Sequence, residues 1–190
     1  MEKSRKPGKL FIVSAPSGAG KTTLCKTMLE KFKGLSYSVS HTTRPPRKGE
    51  VHGKDYFFIG KDEFQEKIEN NLWAEWARVH DNYYGTSIAF IQETLERGGN
   101  LLLDIDVQGA RLITKSFPSA VTIFIMAPDF ETLEQRLRKR GTDSEETIRQ
   151  RMKNSEQEIQ ENHWYDHVIK NDDLGTSIKE MADIFERELR

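Results

Sequence analysis

Residues 10–22 read Leu-Phe-Ile-Val-Ser-Ala-Pro-Ser-Gly-Ala-Gly-Lys-Thr, and nothing else in the chain restricts its folding as tightly. Leu10-Phe11-Ile12-Val13 is a β-prone apolar run bounded by turn residues, the pattern of a strand buried on both faces. From Thr22 to Phe32, small or apolar residues recur at Leu24, Cys25, Met28, Leu29 and Phe32, a helical period. Between strand and helix lies Ala15-Pro16-Ser17-Gly18-Ala19-Gly20-Lys21-Thr22. In that context a glycine-rich turn lets backbone N–H groups converge on phosphate oxygens, and the helix N-terminus adds a favourable dipole. Lys21 then reaches the β- and γ-phosphates of a nucleotide, and the Thr22 hydroxyl helps hold Mg²⁺. The general pattern opens on glycine where this chain has Ala15. Such a loop by itself does not choose between an ATPase, a GTPase and a small-molecule kinase.

The remaining segments extend the opening strand and helix into an α/β fold. Leu101–Ile105 and Val121–Ile125 are further buried-strand candidates, each followed by a helical pattern, and His167–Ile169 adds a short one. Alternation of this kind predicts a doubly wound parallel sheet covered on both faces. Residues 36–97 read differently, with alternating stretches at Tyr37–Ser40, Asp55–Ile59 and Trp73–Val79 and helices at 62–70 and 87–97. We read them as a small, mainly β insertion carried on a core of 10–35, 98–135 and 152–190. Residues 1–9 are expected to be a flexible basic tail.

A chain of 190 residues suits one well-buried core, and the net charge of −1 supplies no global field for nucleic acid. No apolar run approaches the roughly 20 residues of a membrane span. Basic residues before Leu10–Ser14 imitate a signal peptide, but that run falls short of the roughly 7–15 apolar residues required. With Cys25 the sole cysteine, a cytoplasmic protein without internal disulfides is expected.

Residues 40–56 read Ser-His-Thr-Thr-Arg-Pro-Pro-Arg-Lys-Gly-Glu-Val-His-Gly-Lys-Asp-Tyr. Together with Glu75-Trp76-Ala77, Asn82-Tyr83-Tyr84-Gly85, Leu103–Gly109 and Arg136–Thr142, they make the chain resemble guanylate kinases from Leu10 to the final helix. The resemblance implies a P-loop core with a GMP-binding insertion and a helical lid over 136–151. It also implies ATP and GMP as substrates, with Mg²⁺ accompanying ATP.

GMP offers a dianionic phosphate at one end and a guanine edge at the other. Arg44 and Arg47, held apart by Pro45-Pro46, are forked donors suited to phosphate, and Tyr56 and Tyr84 add hydroxyls. Family likeness gives these four the acceptor phosphate. Guanine presents N1–H and the 2-amino group side by side, which one carboxylate can accept. Glu75 stands at the family position for that contact, with Ser40, Thr86 and Asp106 as further partners. Many relatives have serine at the position of Thr86, and the hydroxyl is kept. Adenine would leave the carboxylate unpaired, a loss that supports discrimination on the order of 10⁴-fold.

Asp104 and Asp106 close an apolar strand with a spacing that puts both on one face, at the end where open α/β sheets bind ligands. We expect Asp104 near the metal or phosphates and Asp106 near GMP. Arg136 and Arg140, spaced i, i+4, share a helix face. Gly141 ends that helix, and Thr142-x-x-Glu145 or Asp143-x-x-Glu146 can cap the next. The family places these arginines, with Arg151, in the lid, and places Asn171 near the adenine.

Other chemistry finds little support. His163 and His167 are spaced i, i+4, but Trp164 stands where a zinc protease carries its glutamate. Cys25 reads as a small buried residue. The competing functional class is a non-enzymatic guanylate-kinase-like module that binds phosphorylated peptides through Arg44, Arg47, Tyr56 and Tyr84. Such modules typically carry degraded phosphate loops, whereas Gly20-Lys21-Thr22 is intact.

Overall fold

The computed structural model describes residues 6–141 and 143–190, apart from the Arg140 side chain. In chain order its first half runs β1 (Leu10–Ser14), α1 (Lys21–Lys31), β2 (Leu35–Tyr37), β3 (His41–Thr42), β4 (Phe57–Phe58), α2 (Lys61–Glu69), β5 (Trp73–Val79), β6 (Asn82–Ser87) and α3 (Ile88–Glu96). The second half runs β7 (Asn100–Asp104), α4 (Val107–Ser116), β8 (Val121–Met126), α5 (Phe130–Arg140) and α6 (Glu145–Gln160). A 3₁₀ turn (Glu161–Trp164), β9 (His167–Lys170) and α7 (Leu174–Glu188) complete it.

β2, β7, β1, β8 and β9 form one parallel sheet in that order. Because side chains alternate along β1, Phe11 and Val13 join one apolar layer while Leu10 and Ile12 join the other. The first layer takes Leu24 and Met28 of α1 and Met181 and Phe185 of α7, with Phe185 stacked on Phe11 at 4.0 Å between centroids. The second takes Ile91 of α3 and Ala110 and Ile113 of α4. Each fully buried side chain of this size is worth about 1.5–3 kcal/mol of transfer free energy. The doubly covered parallel sheet is the architecture expected from the apolar runs.

β4, β3, β6 and β5 form a second sheet, in which only the β3–β4 pair is parallel. Two of its strands, β3 and β4, have only two residues each, and α2 supplies apolar cover. Phe64 of α2 is wholly buried and stacks on Trp73 at 4.3 Å and Tyr83 at 5.3 Å. The β5–β6 register slips between Trp73 and Glu75, leaving Ala74 as an extra residue. Consecutive residues are thereby both buried, Trp73 against Phe64 and Ala74 with the core layer.

Three sequence expectations need correction. β2 pairs with β7 in the core sheet, so Ser36 and Tyr37 do not belong to the insertion; a short edge strand shows alternation that looks like insertion sequence. α3 likewise buries Ile91 against Leu101 and Leu103 of the core layer. Finally, the chain is already anchored before residue 10. Gly8 N donates to Leu95 O at 2.8 Å, and Lys9 N donates to Asn100 Oδ1 at 2.8 Å. A side chain at Gly8 would meet Gly99 O at 1.8 Å, so only glycine allows that approach. Residues 1–5 of the expected tail lie outside the described residues. Among the described residues no helix is long and apolar enough to cross a membrane.

Candidate active site

The glycine-rich loop follows β1 at the C-terminal edge of the core sheet, where such sheets leave their ligand crevice. Gly18 and Gly20 take φ of 97° and 100°, values that favour glycine, and Gly20 is the N-cap of α1. Ala15, Pro16, Gly18 and Ala19 are buried, Ser17 is half-buried, and the turn is closed by Ala19 N donating to Pro16 O at 3.1 Å. Beneath it, Asn171 Nδ2 donates to Ala19 O at 2.7 Å, and a Cβ on Gly20 would lie 2.2 Å from that nitrogen. Asn171, expected near the adenine, is 4% exposed, and its amide is spent on holding the loop.

Lys21 forms an ion pair with Asp104 at the end of β7 and lies 3.5 Å from Ile105 O. Thr22, next to it, is exposed. The arginines of 136–151 reach the same region from α5 and α6. Arg151 Nη1 donates to Ser17 Oγ at 2.8 Å and Nη2 lies 3.4 Å from Asp143 Oδ1. Arg136 Nη2 donates to Asn171 O at 3.0 Å. Arg140 lies in α5, but its side chain lies outside the described residues, as does Thr142. Gly141 ends α5 at φ 64°, as expected, whereas the cap of α6 is neither Thr142 nor Asp143. Ser144 accepts from Thr147 N, leaving Asp143 free to pair with Arg151.

On the second sheet, the slip at Ala74 sets Glu75 directly opposite Thr86, whose hydroxyl donates to Glu75 Oε1 at 2.6 Å. Burial pushes the Glu75 carboxyl above its usual range; the Thr86 hydrogen bond opposes this, and the charge of Asp106 adds to it. Asp106 is thus felt at Glu75 while capping α4, its Oδ1 accepting from Gly109 N at 2.8 Å. Arg44 lies over the rings of Tyr56 and Phe58, at 5.5 Å and 5.9 Å from their centroids. Tyr56 meets Tyr84 edge-on at 5.9 Å, and burial raises its hydroxyl pKa. Ser40 is half-buried in the stretch before β3, where its carbonyl accepts from Phe57 N at 2.9 Å. The Arg47 side chain is exposed.

The family model for guanylate kinase matches residues 7–188. The chain belongs to the guanylate kinase family. It is 49% identical over 180 residues to a guanylate kinase of Geobacter sulfurreducens, covering 95% of this chain and 89% of that protein. A Fusobacterium nucleatum guanylate kinase is 46% identical over 183 residues, covering 96% and 98%. The crystal structure of guanylate kinase from Anaplasma phagocytophilum superposes with a TM-score of 0.71 at 32% identity, covering 97% of this chain and 87% of that one.

Membership of the guanylate kinase family accounts for the two sheets and for the motifs that led to it. Sequence reasoning nevertheless missed one residue that binds Arg44 and the turn at Arg47. Glu50 accepts from Arg44 Nη1 and Nη2, at 3.0 Å and 2.9 Å, and from Arg47 N at 2.7 Å. A glutamate following a basic turn reads as solvated; the signal available was the turn Arg47-Lys48-Gly49-Glu50, which folds the carboxylate back. Cys25 is buried, as expected of a small residue on α1. Burial pushes its thiol up to about 12, aided by the Asp104 charge. His163 sits in the 3₁₀ turn and His167 in β9, so they share no helix face.

Proposed function

We propose that the protein transfers the γ-phosphate of ATP to GMP, giving ADP and GDP by direct in-line transfer without a covalent enzyme intermediate. The observation that carries this reading is the strand end Asp104–Asp106. Asp104 is paired with Lys21 of the phosphate loop, and the charge of Asp106 is felt at Glu75. One short segment therefore adjoins both half-sites, as transfer between two bound nucleotides requires.

In this reading the loop 15–22 cradles the ATP phosphates through its backbone, and Lys21 exchanges part of its contact with Asp104 for the β- and γ-oxygens. Glu75, with Thr86, Ser40 and Asp106, accepts from the guanine edge. Arg44, Arg47, Tyr56 and Tyr84 hold the GMP phosphate as the attacking group. Residues 136–151 form a lid whose Arg136, Arg140 and Arg151 close over the triphosphate, neutralising charge on the moving group and excluding water. Asn171 acts on the donor side by fixing the loop from below.

Among the described residues no group of three His, Cys, Asp or Glu side chains is placed to hold an ion unaided. A hydroxyl from Thr22 and a carboxylate from Asp104, completed by nucleotide phosphates and water, is a donor set that fits Mg²⁺. Bound there, Mg²⁺ would offset the negative charge of the ATP phosphates.

The test is ADP formation from ATP and Mg²⁺ with GMP, AMP, CMP or UMP as acceptor. Turnover should require GMP and fall by on the order of 10⁴-fold with AMP. Phosphorylation of AMP at a rate equal to GMP would overturn the proposal.

A further inference from the structure

We propose that Glu50 is a positioning residue for the acceptor phosphate, acting through the guanidinium of Arg44 and the backbone of Arg47; this rests on the GMP reading above. Two opposite roles are conceivable for a carboxylate that close to a phosphate-binding arginine. It could compete with the phosphate for Arg44, or it could orient Arg44 to receive it. The donor count decides between them.

A guanidinium has five N–H donors in a fixed plane. Arg44 gives one hydrogen of Nη1 and one of Nη2 to the two oxygens of Glu50, and the other Nη1 hydrogen to Pro45 O at 2.8 Å. What remains is Nε–H and the second Nη2 hydrogen, the donors not given to Glu50 or Pro45; the Tyr84 hydroxyl, itself assigned to the acceptor phosphate, also lies within reach of the guanidinium. Those two donors lie on one edge of the plane and point the same way, the fork that matches two phosphate oxygens. Glu50 therefore occupies the end of the guanidinium and leaves its side edge, with the Tyr84 hydroxyl close by, to receive the phosphate. The rings of Tyr56 and Phe58 restrain the same group from its face.

Glu50 also fixes the turn that carries both arginines. Its N–H donates to Arg47 O at 3.1 Å, while its Oε2 accepts from Arg47 N at 2.7 Å. Gly49 makes this possible at φ 91°, with open space around the position of a Cβ. One carboxylate thus closes the Arg44–Glu50 loop at both ends. It also offsets one of two neighbouring positive charges, so the pair can stand together before a dianion arrives.

The experiment compares the full-length protein with Glu50→Gln and Glu50→Ala, measuring kcat, KM for GMP and KM for ATP, and the binding of GMP and of guanosine by calorimetry. Gln keeps the shape but turns a donor toward Arg44, so KM for GMP should rise about tenfold, and at least as much for Ala. KM for ATP and the affinity for guanosine, which has no phosphate, should change less than about twofold, and thermal unfolding should hold because the loop is exposed. A fall in KM for GMP would show that Glu50 competes and would overturn the inference. Equal losses for GMP and guanosine would do so as well, by making the effect structural. Wild-type protein without GMP-dependent turnover would instead defeat the underlying reading.

Discussion

The proposed donor and acceptor half-sites are built on different principles. The phosphate loop is mostly backbone, laid on the edge of a sheet whose strands are buried on both faces and pinned from below by Asn171. The proposed acceptor pocket is mostly side chains, carried by a small sheet with two-residue strands at β3 and β4 and a loop closed by Glu50. Backbone recognition tolerates changes in side chain but not in local conformation. Side-chain recognition tolerates backbone adjustment but not a change of functional group. Substitutions should therefore separate the two halves.

The largest effect is expected for Lys21→Met. Removing the cation proposed to reach the β- and γ-phosphates should lower kcat by on the order of 10³-fold in steady-state assays, while calorimetry shows GMP binding intact. Next comes Glu75→Gln, which should lower kcat/KM for GMP by on the order of 10²-fold and leave ATP affinity unchanged. It carries a second signature. Because the folded state raises the Glu75 pKa, it binds more protons than the unfolded chain, and Glu75 costs stability as pH rises through that window. Glu75→Gln should therefore raise Tm at neutral pH, the advantage vanishing below the ordinary carboxylate range. In the wild type, GMP binding should weaken as pH falls through the raised pKa, since the protonated carboxyl loses an acceptor.

The smallest effect is expected for Gly20→Ala. Its Cβ would sit 2.2 Å from Asn171 Nδ2 at a φ of 100°, so either the loop or the buried amide must move. The cost should be about 1–3 kcal/mol in denaturant unfolding, with ATP affinity reduced and GMP affinity kept.

The two halves also differed in how far they could be read from sequence. The core was legible because burial on both faces writes itself as continuous apolar runs: Leu10–Val13 and Val121–Ile125 became strands almost residue for residue. The glycine loop was legible because two positive φ values demand glycine. In the insertion, Trp73–Val79 was recovered, but the bulge at Ala74 that aims Glu75 at Thr86 leaves no local signal. Ser36 and Tyr37 lie in the core sheet although they read as insertion, because an edge strand alternates as an insertion strand does. Asn171 and Glu50 were opaque for another reason: their partners, Ala19 and Arg44, are chosen by tertiary approach and by a turn closing back on itself.

The claim that donor and acceptor are read separately is tested most directly by a crossed binding experiment. ATP with Mg²⁺ and GMP would each be titrated calorimetrically into wild type, Lys21→Met and Glu75→Gln. The account predicts that Lys21→Met loses affinity for ATP alone and Glu75→Gln for GMP alone. Loss of both ligands in either variant, with the fold intact by thermal unfolding, would contradict it.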